Sequence, residues 1–133
     1  MKVAKTFSFD SGHRLPKYIG KCFRDHGHTW RMAIVVEGKV NPETGMVVDF
    51  GDLSRVAKDA MYRDDDKWDL DHNHLNNLVA NPTAENLVKY IIRRLRTLWT
   101  ESKLPGNIVT LKLWEKIVTV ESWVEMDWEE AYE

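Results

Sequence analysis

The spacing of apolar residues changes period twice along this chain, and that pattern limits the folds open to it. Val3, Phe7 and Phe9 fall at odd positions near the start. Trp30, Met32, Ile34 and Val36 then alternate with Arg31, Ala33, Val35 and Glu37. A period of two belongs to an extended strand, whose side chains point to opposite faces in turn. Residues 29–38 therefore read as a long, half-buried strand. Asn41-Pro42-Glu43-Thr44-Gly45 is a turn sequence, after which Met46-Val47-Val48 is expected to resume extended structure. The period next becomes helical. Leu53, Val56, Ala57, Ala60 and Met61 share one face at three- and four-residue spacings. Asp49 or Asp52 suits the cap, and Asp64-Asp65-Asp66 opposes the dipole at the helix end. Pro82-Thr83 opens a second helix, with Thr83 as cap and Ala84, Leu87, Val88, Ile91, Leu95 and Leu98 as its apolar stripe. Leu104-Pro105-Gly106-Asn107 breaks it. Two strands then close the chain. Val109, Leu111 and Leu113 oppose Ile108, Thr110, Lys112 and Trp114, and Val118, Val120, Ser122, Val124 and Met126 alternate with Thr119, Glu121, Trp123 and Glu125. Trp123 and Trp128 on that last strand are expected to face outward.

The order β-β-α-α-β-β predicts an α+β fold, an antiparallel sheet with both helices on one face. At 133 residues and 43% hydrophobic, the chain is expected to form a single domain over residues 1–133 with a core of its own. Nineteen Lys and Arg against 21 Asp and Glu leave a net charge of −2, which speaks against a nucleic-acid or anionic-membrane partner. The apolar runs are too short to span a bilayer. The start, Met1-Lys2-Val3-Ala4-Lys5-Thr6, lacks the apolar stretch of a signal peptide, and one Cys excludes an internal disulfide framework. Both fit the reducing cytoplasm. A long sheet with large apolar groups on its second face and uncovered edges invites self-association.

Five His occupy only three places. In Cys22-Phe23-Arg24-Asp25-His26-Gly27-His28, an extended Gly27 puts both imidazoles on one side. His13, at the end of the first strand, is placed to join them. Three neutral His with one open position make the ligand pattern of a catalytic zinc. The plainer alternative is two surface His and a His13 satisfied by backbone. His72 and His74 repeat the spacing in Leu70-Asp71-His72-Asn73-His74-Leu75-Asn76, and on spacing alone they compete for the metal. Asp71 beside His72 suits proton transfer, since a carboxylate orients an imidazole and raises its basicity. A turn capped by Asp71, Asn73 and Asn76 explains the same residues. Cys22 reads as a reactive thiol, a zinc ligand or a small apolar residue. Glu115 reads as a cross-strand partner for a Lys, or as a carboxylate accepting two hydrogen bonds from a planar N–C–N edge.

Together these motifs resemble the 6-pyruvoyl-tetrahydropterin synthase family, in particular its bacterial 6-carboxy-5,6,7,8-tetrahydropterin synthase branch. The resemblance rests on Phe7-Ser8-Phe9-Asp10-Ser11-Gly12-His13-Arg14-Leu15, Cys22 four residues before His26-Gly27-His28, and Gly45-Met46-Val47-Val48-Asp49-Phe50. Leu70-Asp71-His72 with Leu75-Asn76, Asn81-Pro82-Thr83-Ala84-Glu85-Asn86 and Glu115 complete it. It implies that His13, His26 and His28 bind zinc, that Cys22 is the catalytic thiol, and that Asp71 and His72 complete a proton relay. It implies further that Glu115 anchors a pterin ring, helped by Thr83 and Glu85. The implied substrate is 7,8-dihydroneopterin triphosphate, and the short Cys-to-His spacing resembles the carboxy branch, which releases triphosphate and acetaldehyde on the way to queuosine and other 7-deazaguanine nucleosides. The other members of the comparison are a pyruvoyl synthase and a non-catalytic zinc- or pterin-binding module. The implied fold is the tunnelling fold, in which sheets of several copies join into a barrel. A trimer-based homo-oligomer, a hexamer, with sites between subunits is expected from it. Lys116 after Glu115 departs from the family's usual Thr, and His74 carries no role in the resemblance.

Overall fold

The computed structural model describes residues 1–63, 68–116 and 121–132. Four strands form one antiparallel sheet in the order β1-β2-β3-β4: β1 Lys2–His13, β2 His26–Glu37, β3 Asn107–Lys116 and β4 Ser122–Asp127. Helices α1 (Phe50–Met61) and α2 (Ala84–Ser102) lie between β2 and β3 in sequence. The element order expected from periodicity is the one observed. Asp64-Asp65-Asp66, and the Val118 and Val120 expected to begin the last strand, fall outside the described residues.

Alternation decides which face of the sheet is buried. Phe9, Trp30, Met32, Ile34, Val36, Leu111 and Leu113 share one core with Leu53, Val56, Ala57, Ala60 and Met61 of α1 and Leu87, Val88, Ile91, Ile92, Leu95 and Leu98 of α2. Both helices therefore cover the same face. Met32, Ile34, Leu111 and Leu113 are fully buried, and truncating such a side chain to Ala costs about 2–5 kcal/mol. Asp49 caps α1 by accepting the Gly51 N–H at 2.6 Å. Thr83 caps α2 by accepting the Asn86 N–H at 3.2 Å. Each cap satisfies one of the free amides of a first helical turn.

Two expectations are corrected. Val47 and Val48 do not resume a strand; they are buried in an irregular segment before α1 and plug the core from there. Trp128 is not on β4 but opens a 3-10 turn, Trp128–Tyr132, and packs against the core under the Arg96 guanidinium at 4.2 Å. Trp123 does face outward, 53% exposed on the helix-free face, with Lys112 over its ring at 4.2 Å.

Candidate metal centre

Strand register builds the centre. His13 pairs with His26, Gly12 with Gly27, and Ser11 with His28. All three His lie on the helix-covered face, at the end of the sheet where the core stops. Trp30 underlies them, its ring edge-on to His13 and His28 at 5.2 and 5.6 Å. On β3, Glu115 follows Leu113 by two residues and so shares that face. The ligand atoms of His13, His26, His28 and Glu115 all lie within 4.8 Å of one another.

Backbone carbonyls orient two of the rings. His13 Nδ1 is 2.8 Å from the Pro82 carbonyl and His26 Nδ1 is 2.7 Å from the Arg24 carbonyl. A carbonyl can only accept, so each Nδ1 carries the proton and each Nε2 presents a lone pair. This is the outer-shell arrangement that metal-binding imidazoles use. His13 Nε2 and His28 Nε2 are buried with no aligned hydrogen-bond partner, and the nearest acceptor, Glu115 Oε1, stands 3.4 and 3.2 Å away. Burying two such nitrogens is unfavourable unless something else takes the lone pairs. The donor set, imidazole nitrogens beside a carboxylate, fits zinc. A proton on His13 or His28 Nε2, in place of a metal, hydrogen-bonds Glu115 and holds its carboxyl well below the usual carboxylate range.

Two cavities flank the cluster. One, of about 340 Å³, is bordered by Leu15, Tyr18, Thr83, Glu85 and Glu115. Three residues expected at a pterin ring thus share one cavity, and Glu115 borders the His cluster as well. The other, of about 600 Å³, is bordered by Asp10, His28, Thr29 and His72. His72 and Asp71 form a pair at 2.5 Å, and the hydrogen bond and charge of Asp71 raise the His72 pKa above the ordinary imidazole value. Asp71 is itself fixed, because its Oδ1 accepts the Asp10 N–H at 2.9 Å while the His72 N–H donates to the Asp10 carbonyl at 2.6 Å.

Cys22 sits in a short 3-10 turn, Lys21–Phe23, between β1 and β2. Its sulfur is not a member of the ligand cluster, so the structure does not bring it among the four ligand atoms. Sequence reasoning missed the residues that hold these parts together. The carbonyls of Pro82 and Arg24 and the backbone of Asp10 leave no side-chain signature. Asn76 is not among the missed: the sequence offers it as a turn cap, and it accepts the Arg14 N–H at 2.9 Å, whereas the Asp25–His74 pair was not foreseen. His-x-His beside an unpaired Asp was a usable signal for that pair.

The chain matches the family described as 6-pyruvoyl tetrahydropterin synthase over residues 2–129. It is 36% identical over 91% of its length, and 92% of the relative's, to a protein of Pyrococcus furiosus named dihydroneopterin monophosphate aldolase. It is 34% identical to the Synechocystis protein named 6-carboxy-5,6,7,8-tetrahydropterin synthase, over 78% of each chain. Its fold matches the structure of Caenorhabditis elegans 6-pyruvoyl tetrahydropterin synthase with a TM-score of 0.76 at 20% identity, covering 96% of this chain and 94% of that one.

Proposed function

We infer the function from a premise of kinship: the chain belongs to the 6-pyruvoyl tetrahydropterin synthase family. It is an enzyme of the 6-carboxy-5,6,7,8-tetrahydropterin synthase type, a carbon–carbon lyase on a tunnelling fold. Its substrate is 7,8-dihydroneopterin triphosphate, from which triphosphate and acetaldehyde leave, and its product feeds 7-deazaguanine nucleosides such as queuosine in the cytoplasm. The observation that carries this reading is the convergence of His13, His26 and His28 on Glu115, at the edge of a cavity that Thr83 and Glu85 also border.

His13, His26 and His28 would hold zinc through the Nε2 atoms that Pro82 and Arg24 leave free or that burial leaves unpartnered. Bound there, zinc supplies Lewis acidity toward side-chain hydroxyls and a developing carbonyl. Glu115 is a carboxylate ionised near neutral pH, and an ionised carboxylate is an acceptor only. That suits the planar N–C–N edge of a pterin, which offers two parallel donors. Cys22 serves as the general base. His72, kept protonated to higher pH by Asp71, moves a proton at its Nε2 end, since Nδ1 is committed to the carboxylate.

The assembly is a homo-oligomer built on trimers, a hexamer, with sites between subunits. Its support is the helix-free sheet face with exposed Trp123, and the outer positions of β1 and β4. The charge balance and the lack, among the described residues, of a helix able to cross a membrane are in keeping with a small-molecule substrate.

The likeness to the Pyrococcus furiosus aldolase favours one second reading, cleavage of the monophosphate instead. Incubating zinc-loaded protein separately with dihydroneopterin triphosphate and monophosphate tests both. Acetaldehyde with 6-carboxytetrahydropterin from the triphosphate is the expected result. A 6-pyruvoyl product, turnover of the monophosphate alone, or pterin binding without turnover would each replace this reading with the corresponding alternative.

A further inference from the structure

We propose that His74 and Asn76 are positioning residues that clasp the Cys22 loop at both of its ends. The loop spans residues 14–25, between β1 and β2. At its start, the Asn76 side chain accepts the Arg14 N–H at 2.9 Å and donates to the Arg14 carbonyl at 2.9 Å, so one amide satisfies both backbone groups of that residue. At its finish, His74 Nε2 donates to Asp25 Oδ1 at 2.9 Å, directly before the ligand His26. Inside the clasp, the Leu15 N–H donates to the Cys22 carbonyl at 2.7 Å and closes the loop's neck.

The clasp has a rigid base. His74 forms a bridge with Gly12 of β1, the Gly12 N–H donates to the Asn73 carbonyl at 3.0 Å, and the His74 N–H donates to Asn73 Oδ1 at 2.8 Å. A Cβ at Gly12 would stand 3.2 Å from the His26 carbonyl and 4.0 Å from the His74 ring, so the tight fit there is to the neighbouring strand and the clasp itself leaves ordinary room. The segment that clasps the loop also carries Asp71 and His72. The two groups proposed to move protons, Cys22 and the Asp71–His72 pair, are therefore tied to one backbone.

The Asp25–His74 pair is exposed, at 74% and 39%, so its contribution to global stability is small. Its effect is local, on the freedom of the loop. The consequence for turnover rests on the reading of Cys22 as catalytic base, whereas the clasp itself is read without turnover. Cys22 is the chain's one Cys, so thiol alkylation reports that position alone.

The experiment measures iodoacetamide labelling of zinc-loaded protein. His74→Ala and Asp25→Ala should each label about two- to fivefold faster than the parent, with thermal midpoint and zinc content near the parent's. The double variant should label no faster than either single one, because both remove the same contact. His74→Gln, whose amide reaches as far as Nε2, should restore the slow rate. Unchanged labelling in His74→Ala, independent effects in the double variant, or no rescue by Gln would overturn the proposal. Asn76→Ala, which frees both backbone groups of Arg14, should likewise label faster than the parent. An unchanged rate in folded Asn76→Ala would remove Asn76 from the clasp; if that variant fails to fold, the His74 and Asp25 series still decides. If the parent does not turn over dihydroneopterin triphosphate, the functional reading falls and the labelling rates stand on their own.

Discussion

His-x-His occurs twice in this chain, and the two pairs end in opposite situations. His26 and His28 lie on β2, where the extended Gly27 between them sends both rings to one face. They meet His13 there, with His26–His28 and His13–His26 ring centroids 4.9 and 4.6 Å apart. His72 and His74 lie in a turn. His72 has φ +51°, in the left-handed region, and its ring is 79% exposed. Each of that pair finds its own carboxylate, Asp71 for His72 and Asp25 for His74. Equal spacing thus yields one cluster able to share an ion in one place and two separate acid–base pairs in the other. The backbone conformation of the residues decides whether two imidazoles converge.

The largest effect expected from breaking this division lies at Cys22. Cys22→Ala should lower turnover about 100- to 10,000-fold while zinc content stays at the parent's level. Loss of the metal together with activity would instead place the thiol in the first pair's ligand set.

The second pair is sharpened by Asp71→Asn. The carboxylate favours protonated His72, so its removal should bring the His72 pKa down toward the free imidazole, read by NMR titration of the ring. The pair's stabilising pull is present while His72 is charged and is lost as pH rises through the raised folded-state pKa. The limb of the rate profile that His72 governs should move to lower pH by the same shift. A titration unchanged by Asp71→Asn would contradict the assignment.

A smaller effect probes the backbone directly. At His72 a β-branched residue opposes the left-handed conformation, so His72→Val should be less stable than His72→Gly by about 1–3 kcal/mol. At His28, on an extended strand, the same comparison should reverse, since Gly weakens a strand interior by about 0.5–1 kcal/mol. Thermal unfolding of the four variants measures both.

Much of this was legible in the sequence, and the reasons are specific. Period two at residues 30–36 and the helical stripe from Leu53 to Met61 report burial, and burial is what assembles the sheet and the helices. Asp49 and Thr83 act locally on their own helices, so their capping could be read from position. Val47 and Val48 misled because a short apolar run has no period to distinguish a strand from a plug. Trp128 misled because alternation says nothing of where a strand ends. At the site, the residue types of the metal cluster were visible. Their orientation was not, since the carbonyls of Pro82 and Arg24 belong to residues whose side chains have no part in it. Nor could spacing choose between the two His pairs. That choice required knowing that His28 pairs with Ser11 on a strand while His72 bonds Asp10 from a turn.

Zinc content of two double variants tests the division most directly. His72→Ala with His74→Ala should retain about one zinc per chain, and His26→Ala with His28→Ala should retain none, as three imidazoles with one open position predict. Metal kept by the second variant and lost by the first would contradict the account.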